Sequence, residues 1–437
     1  MLVNKHLIDN NSIKFSLIWL YILFTPLALK IHMLFQKGNF STLVQIFGIL
    51  YLLLGTVLVK NKTHFSFNVK NLIIFTLFTL LLFKAGISSF VIGNSGFLKN
   101  IGYILLPILC VSYEYANVNN LEASRFLKYL YFSFISYVLI IFLLNFFGFN
   151  NPVIPDSVKV ENHSRLALLF GFFVNRETLP LANGFNQIGI VAGLTFILSF
   201  IYLVKCKYLS NLVKIIILVP AILCSIYILI VSDAKISFFL SLLISLLFLL
   251  PTKITNSFLF LTLILLSPLL LFFLINFLSL LSNYFDLQNI HASFSSLSHR
   301  TEFWDETLMF LSDLKFNHFF GYGFFSHYNI GLSEIFNDYT YGNRKIKFLN
   351  IHNNMLQTII DFGYIGYLFI YSLFIVALNK LRKINSFEIK VGYISLIYLY
   401  LHGITESVPN IYNREILFFF ICVFTATFML KKNHGKN

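Results

Sequence analysis

Twelve times along this chain the sequence runs apolar for long enough to cross a bilayer, and that rhythm constrains the fold before any single residue does. A hydrocarbon slab of about 30 Å calls for about 20 residues at about 1.5 Å of helical rise each. Runs of that order lie near 15–34, 42–59, 71–93, 97–113, 127–149, 186–204, 212–231, 235–251, 257–282, 353–378, 391–406 and 414–430. With 57% of the 437 residues hydrophobic and 11% charged, the composition lies outside the soluble range. The expected fold class is an all-α integral membrane protein with about twelve transmembrane helices.

Basic residues orient the spans. Lys60, Lys62, Lys70, Lys205, Lys207, Lys253, Lys380, Arg382, Lys383, Lys431 and Lys432 gather on one side, while the short segments on the other hold only Lys30, Lys37, Lys99, Lys235 and Arg414. The positive-inside rule then places both termini in the cytoplasm. The net charge of +14 reads as a topology signal and an attraction to anionic lipids, and no nucleic-acid partner is expected. Lys5 and Lys14 precede a first run that contains Pro26 and Lys30 and lacks a small-residue cleavage pattern, so an uncleaved first helix is expected. Cys110, Cys206, Cys224 and Cys422 fall in or beside spans and imply no disulfide framework or metal cluster.

Two outside excursions, near 150–185 and 283–352, divide the chain. Residues 1–282 carry nine spans and the shorter loop, 283–352 form a large loop subdomain, and 353–437 carry three spans and a tail. Within the large loop Phe303, Trp304, Thr307, Leu308, Phe310 and Leu311 recur at helical spacing among Glu302, Asp305, Glu306 and Asp313. That pattern predicts an amphipathic helix over 299–312, lying on the bilayer surface and capped by Ser298.

The few polar residues then become informative. Arg165 and Arg176 flank the apolar run Leu166 to Val174, Lys235 follows Ser232-Asp233-Ala234, and Arg300 and Arg414 complete five cations on the outside. A cation at hydrocarbon depth costs about 2.5 to 3.5 kcal/mol on insertion scales. Snorkelling to headgroups accounts for any one of them, but five on the side that should be depleted point to a shared anionic ligand. Guanidinium forks suit phosphate oxygens, so a pyrophosphate-linked lipid is the fitting class.

His352 stands where the large loop enters the tenth span. An imidazole there could take the proton of an acceptor hydroxyl, or could cap the following helix. Glu406, just before Pro409, reads first as an ion pair with Arg414. Lys84 and Asp361 lie inside spans without an assigned partner. Gly321 and Gly323 mark a turn, or let backbone approach a sugar while Phe324 and Phe325 stack on it. No Asp-x-Asp motif stands in an outside loop and no Walker-type glycine loop exists, so a metal-independent, cofactor-free reaction is expected.

Taken in order, Arg300 to Trp304, Gly321 and Gly323, His352-Asn353, then Gly363 and Gly366, with a large loop before the tenth helix, resemble the O-antigen polymerase and O-antigen ligase superfamily of bacterial inner-membrane glycosyltransferases. Members commonly carry a Ser-Arg pair at the start of the helix preceding the loop region. Here Ser232-Asp233-Ala234-Lys235 takes that place with Lys, which keeps the charge and loses the fork.

The resemblance implies inverting transfer of an undecaprenyl-pyrophosphate-linked glycan to a sugar hydroxyl at the periplasmic face, building O-antigen or capsule. It implies His352 and Arg300 as catalytic residues, and Lys235, Arg165, Arg176, Arg414, Trp304, Gly321, Gly323 and Asn353 as pyrophosphate or glycan contacts. The implied partners are the lipid-linked glycan, membrane lipids and a chain-length regulator protein. A polymerase is the leading reading and a ligase acting on lipid A core the second. A lipid-linked glycan flippase or transporter is the reading from another class; it would more naturally show two similar halves and broken mid-membrane helices.

Overall fold

The computed structural model describes residues 21–30, 45–53, 69–91, 97–116, 120–149, 163–182, 184–207, 209–284, 300–335, 351–384, 386–409 and 413–430. Each of the twelve apolar runs contains a helix within its described part. The helices are α1 (Tyr21–Lys30), α2 (45–53), α3 (Val69–Val91), α4 (Phe97–Ala116), α5 (Asn120–Phe146), α6 (Arg165–Leu169), α7 (Phe185–Lys205) and α8 (Asn211–Val231). They continue with α9 (Lys235–Leu249), α10 (Phe258–Tyr284), α11 (Arg300–Ser312), α12 (Phe316–Phe320), α13 (Asn354–Leu381), α14 (Phe387–His402) and α15 (Arg414–Met429). Among the described residues there is no strand beyond one isolated bridge, His163 to Asn175. Among the described residues five helices, namely α3, α5, α7, α8 and α13, are long and apolar enough to cross a membrane.

The packing is that of a bundle in lipid. Along α9 the serines Ser237, Ser241 and Ser245 are buried, while Ile236, Phe239, Leu243 and Leu246 face outward. A helix that hides its hydroxyls and exposes its large apolar side chains fits a solvent of acyl chains. At the centre, α7 buries most of its circumference against α5, α8, α9 and α14. Gly189 and Gly193 make this possible. A Cβ on Gly189 would run into Ala234, and one on Gly193 into the Tyr398 hydroxyl, so these small residues bring the starts of α7 and α9 together. In α8 a π turn over Lys214–Leu218 precedes Pro220, whose missing N–H could not have continued the α-helical ladder.

Helix α13 is broken within its apolar length. Gly363 lies at φ 78°, and the backbone groups released there are satisfied by the loop after α12: Tyr322 N–H donates to Ile360 O at 2.8 Å and Gly323 N–H to Asp361 O at 2.9 Å. Lys84 of α3 closes the same junction by donating to the carbonyls of Phe320 and Gly321. A break at membrane depth survives only when protein supplies the missing partners, which gives the Gly-Tyr-Gly segment a structural task.

Helix α11 begins close to where it was expected, at Arg300; Ser298 lies outside the described residues. Its apolar face is not spread on the bilayer alone. Phe303 and Leu311 are buried against Leu332, Ile351, Leu356 and Ile360, docking α11 onto the first turns of α13. The eleventh run also ends earlier than its apolar length suggests. Helix α14 stops at His402, which leaves Glu406 in the connection to α15.

Candidate active site

Glu406 is the centre of the described polar groups. Arg300 Nη2 donates to its Oε1 at 2.5 Å, Asn186 Nδ2 donates to the same oxygen at 2.7 Å, and His352 Nδ1 lies 3.0 Å from Oε2. The ion pair with Arg414 expected from sequence proximity is absent. Arg414 instead lies over the Tyr103 ring, 4.6 Å from its centroid, because the start of α15 packs against α4. Burial alone would raise the Glu406 carboxyl, but His352, Arg300 and His402 outweigh it and hold it down at about 2.

An ionised Glu406 fixes the chemistry of its neighbour. A carboxylate can only accept, so Nδ1 of His352 must carry a proton, which leaves Nε2 as the nitrogen that exchanges one. His352 is 24% exposed at the side chain, so a substrate hydroxyl can reach it. The capping role weighed for His352 belongs to the next residue. Asn353 Oδ1 accepts from Met355 N–H at 2.9 Å and Leu356 N–H at 3.1 Å, while its Nδ2 donates to Ile404 O at 3.0 Å. Asn353 therefore ties the start of α13 to the Glu406 loop, and its side chain is occupied there rather than offered to a glycan. Trp304 acts in the same way, donating from Nε1 to Ile351 O at 3.1 Å, one residue before His352.

Gly321 and Gly323 are not open to a sugar. A Cβ on Gly321 would come within 2.5 Å of Asp361 O, Gly363 N and Phe362 C, and one on Gly323 within 2.5 Å of Ala85 O and Ser89 N. Both sit at positive φ and let the loop backbone touch α13 and α3.

Three of the remaining cations, Arg165, Arg176 and Lys235, gather around Ser232 and Asp233. Arg176 lies over Phe185, 3.8 Å from the ring centroid, and donates from Nε to Ser232 O at 3.2 Å. Burial weighs against its charge, Asp233 supports it and Arg165 opposes it. Lys235 Nζ is 3.9 Å from Asp233 Oδ2. The two groups share scaffolding. Phe185 under Arg176 adjoins Asn186 on Glu406, and Ser237, two residues past Lys235, meets His402 Nε2 at 2.8 Å. The structure thus joins Arg165, Arg176, Lys235, Arg300 and His352 through short chains of contact and leaves Arg414 apart. Sequence reasoning missed Asn186, Ser237 and His402. For Glu406 a signal existed, since it stands in a loop on the same membrane side as His352.

With this geometry established, one comparison is informative. Residues 220–371 match the O-antigen ligase family model. The matched segment runs from α8 into α13 and contains Lys235, Arg300, Trp304, Gly321, Gly323, His352 and Asn353, whereas Arg165, Arg176, Glu406 and Arg414 lie outside it. It supports the resemblance to the O-antigen ligase and polymerase superfamily and a role in handling lipid-linked glycans, without separating polymerase from ligase. No curated protein and no solved structure matches the chain.

Proposed function

We propose that this chain is a polysaccharide polymerase that joins undecaprenyl-pyrophosphate-linked repeat units at the periplasmic face of the bacterial inner membrane. The observation that carries this reading is a single ionised carboxylate, Glu406, bridging a guanidinium and an imidazole. In this reading Arg300, with Arg165, Arg176 and Lys235 nearby, neutralises the departing diphosphate; preorganised charge of this kind is usually the largest catalytic contribution. His352 Nε2 takes the proton of the acceptor hydroxyl as the glycosidic bond to the diphosphate breaks, and Glu406 supports the imidazolium that results. The acceptor oxygen attacks from the face opposite the leaving group, so configuration inverts.

An apolar cavity of about 240 Å³ supports a lipid-borne donor. Asn354, Met355, Gly403 and Ile404, next to the polar centre, line one part of it, and Leu417, Phe420 and Phe424 line another between α13 and α15. The reading includes twelve membrane spans, cytoplasmic termini, periplasmic placement of 283–352 and a chain-length regulator as partner. The family match is equally compatible with a second reading, a ligase that transfers the glycan to lipid A core. Purified protein in proteoliposomes given only lipid-linked repeat units separates the two. A polymerase lengthens them into a ladder on the carrier; transfer that occurs only after lipid A core is added overturns the polymerase reading.

A further inference from the structure

Apart from Arg165, the segment 163–175 has no part in the chemistry above. Its ends are closed by the antiparallel bridge His163 to Asn175 and by Ser164 N–H donating to Val174 O at 2.8 Å. Its base is bolted to the end of α8. Ser164 Oγ donates to Ile230 O at 2.6 Å, Leu166 N–H donates to Asp233 Oδ1 at 2.8 Å, and Leu166 and Ala167 are buried. Its tip is the opposite. Leu169 is 67% exposed, Phe172 61% and Phe173 82%, with Leu168 and Phe170 also exposed, around a turn at Gly171 with φ 78°. A contiguous apolar patch held out on a rigid base marks a contact surface.

The neighbours of the tip identify what it contacts. Phe170 packs on Phe238, ring centroids 5.7 Å apart, in the first turns of α9, whose outward stripe of Ile236, Phe239, Leu243 and Leu246 faces lipid. At the end of α5, Asn145 Nδ2 donates to Tyr227 of α8 at 3.1 Å, one turn below the anchor of the hairpin, and the neighbouring Phe146, Phe147 and Phe149 are exposed. The exposed tip therefore continues the lipid-facing surface of the bundle at the level where α9 begins. Arg165, exposed at the first residue of α6, adds a cation suited to lipid phosphates.

We infer that the 163–175 hairpin is a membrane-embedded wedge whose tip enters the acyl region of the leaflet on the side of the candidate site, with Arg165 at headgroup level. This stands whether the reaction is polymerisation, ligation or neither.

The test is depth, not activity. Leu169→Cys and Phe172→Cys are spin-labelled in proteoliposomes of phosphatidylethanolamine and phosphatidylglycerol; the four native cysteines are buried, and the unmodified chain supplies the labelling blank. Leu246→Cys on the outward face of α9 and Lys315→Cys in the loop before α12 are the lipid and water references. Labels at 169 and 172 relaxed by oxygen more than by a water-soluble nickel chelate, as at 246, support the inference. Preference for the chelate, as at 315, overturns it. Shielding from both reagents, with spectral broadening between copies, also overturns it and assigns the patch to a second copy of the chain.

Discussion

Replacing Glu406 with Gln tests the central claim with little change of shape. The Arg300–Glu406 contact, between unit charges 2.5 Å apart, attracts by about 6 to 7 kcal/mol at an effective dielectric of about 20, and desolvation of the partners offsets much of this. In Glu406→Gln the amide oxygen can keep the Arg300 and Asn186 donors at the Oε1 position, so most of the fold should remain. The amide N–H₂ then faces His352 Nδ1 and donates to it. That forces the ring proton to Nε2, where it removes the lone pair the reaction needs. The expected result is a fall in single-turnover transfer of about 10²- to 10⁴-fold, with binding of the lipid diphosphate donor held within about threefold, because Arg300 keeps an acceptor. Glu406→Ala differs: Arg300, Asn186 and His352 all lose their acceptor, and breaking a buried pair this way costs about 3 to 5 kcal/mol, read as lost membrane protein or a lower melting temperature. Glu406→Gln transferring glycan at the wild-type rate would refute the tautomer argument.

His352→Asn should be folded and inactive, since Asn tolerates the φ of 53° and the helix cap is carried by Asn353; normal glycan synthesis at normal protein level would return His352 to a structural role. Arg300→Lys keeps the charge and loses the fork, so donor affinity in a lipid-diphosphate binding assay should drop about 10- to 100-fold, from about 1.5 to 3 kcal/mol, and unchanged affinity would remove Arg300 from the site. Gly321→Ala should lower the melting temperature and membrane yield through about 2 to 5 kcal/mol of strain and overlap at the α13 break; a wild-type melt would refute the close approach. Burial holds His327 down at about 3 against an ordinary 6.5, so below 6.5 the unfolded chain binds a proton that the folded one refuses. Stability should therefore fall with acidity, by about 1.4 kcal/mol from about pH 8 to about pH 5.5, and His327→Gln should flatten the difference between melts at these two pH values.

The helices were legible because apolar runs of spanning length are a local property, and so was the presence of α11, whose periodicity spans only 13 residues; its docking onto α13 was not, since that periodicity fits a bilayer surface as well as a protein one. Arg300 and His352 were legible as chemistry out of place in an apolar chain. Their common partner was not. Glu406 lies 106 residues from Arg300 and 54 from His352, and local reasoning assigned it to Arg414, the nearest cation in sequence. The sugar-facing alternative for Gly321 and Gly323 failed for the same reason, while the turn was there. Their role depends on the break at Gly363, and no pattern within the loop says which helix its backbone will lie against. The cap weighed for His352 falls to Asn353 because a one-residue shift in where α13 starts decides which side chain caps it, and helix ends are the least certain part of any sequence reading.

The backbone carries a further sign of where function sits. His352 and Asp233 are both non-glycine residues at positive φ, 53° and 52°, and each closely precedes a helix that contributes to the polar centre. Conformations of this kind cost about 1 to 3 kcal/mol each and persist only where surrounding contacts over-determine them. The contacts are present at both. His352 is held between the Trp304 bond to Ile351 and the Asn353 cap, with Asn354 N–H donating to Gly403 O at 2.8 Å. Asp233 is held by Leu166 of the hairpin. The cation side and the imidazole side of the centre are therefore each fixed by long-range bonds to a different part of the chain. Charges held this way need no reorganisation when a diphosphate departs, and the strain at His352 is most simply read as the cost of aiming Nδ1 at Glu406 rather than at water.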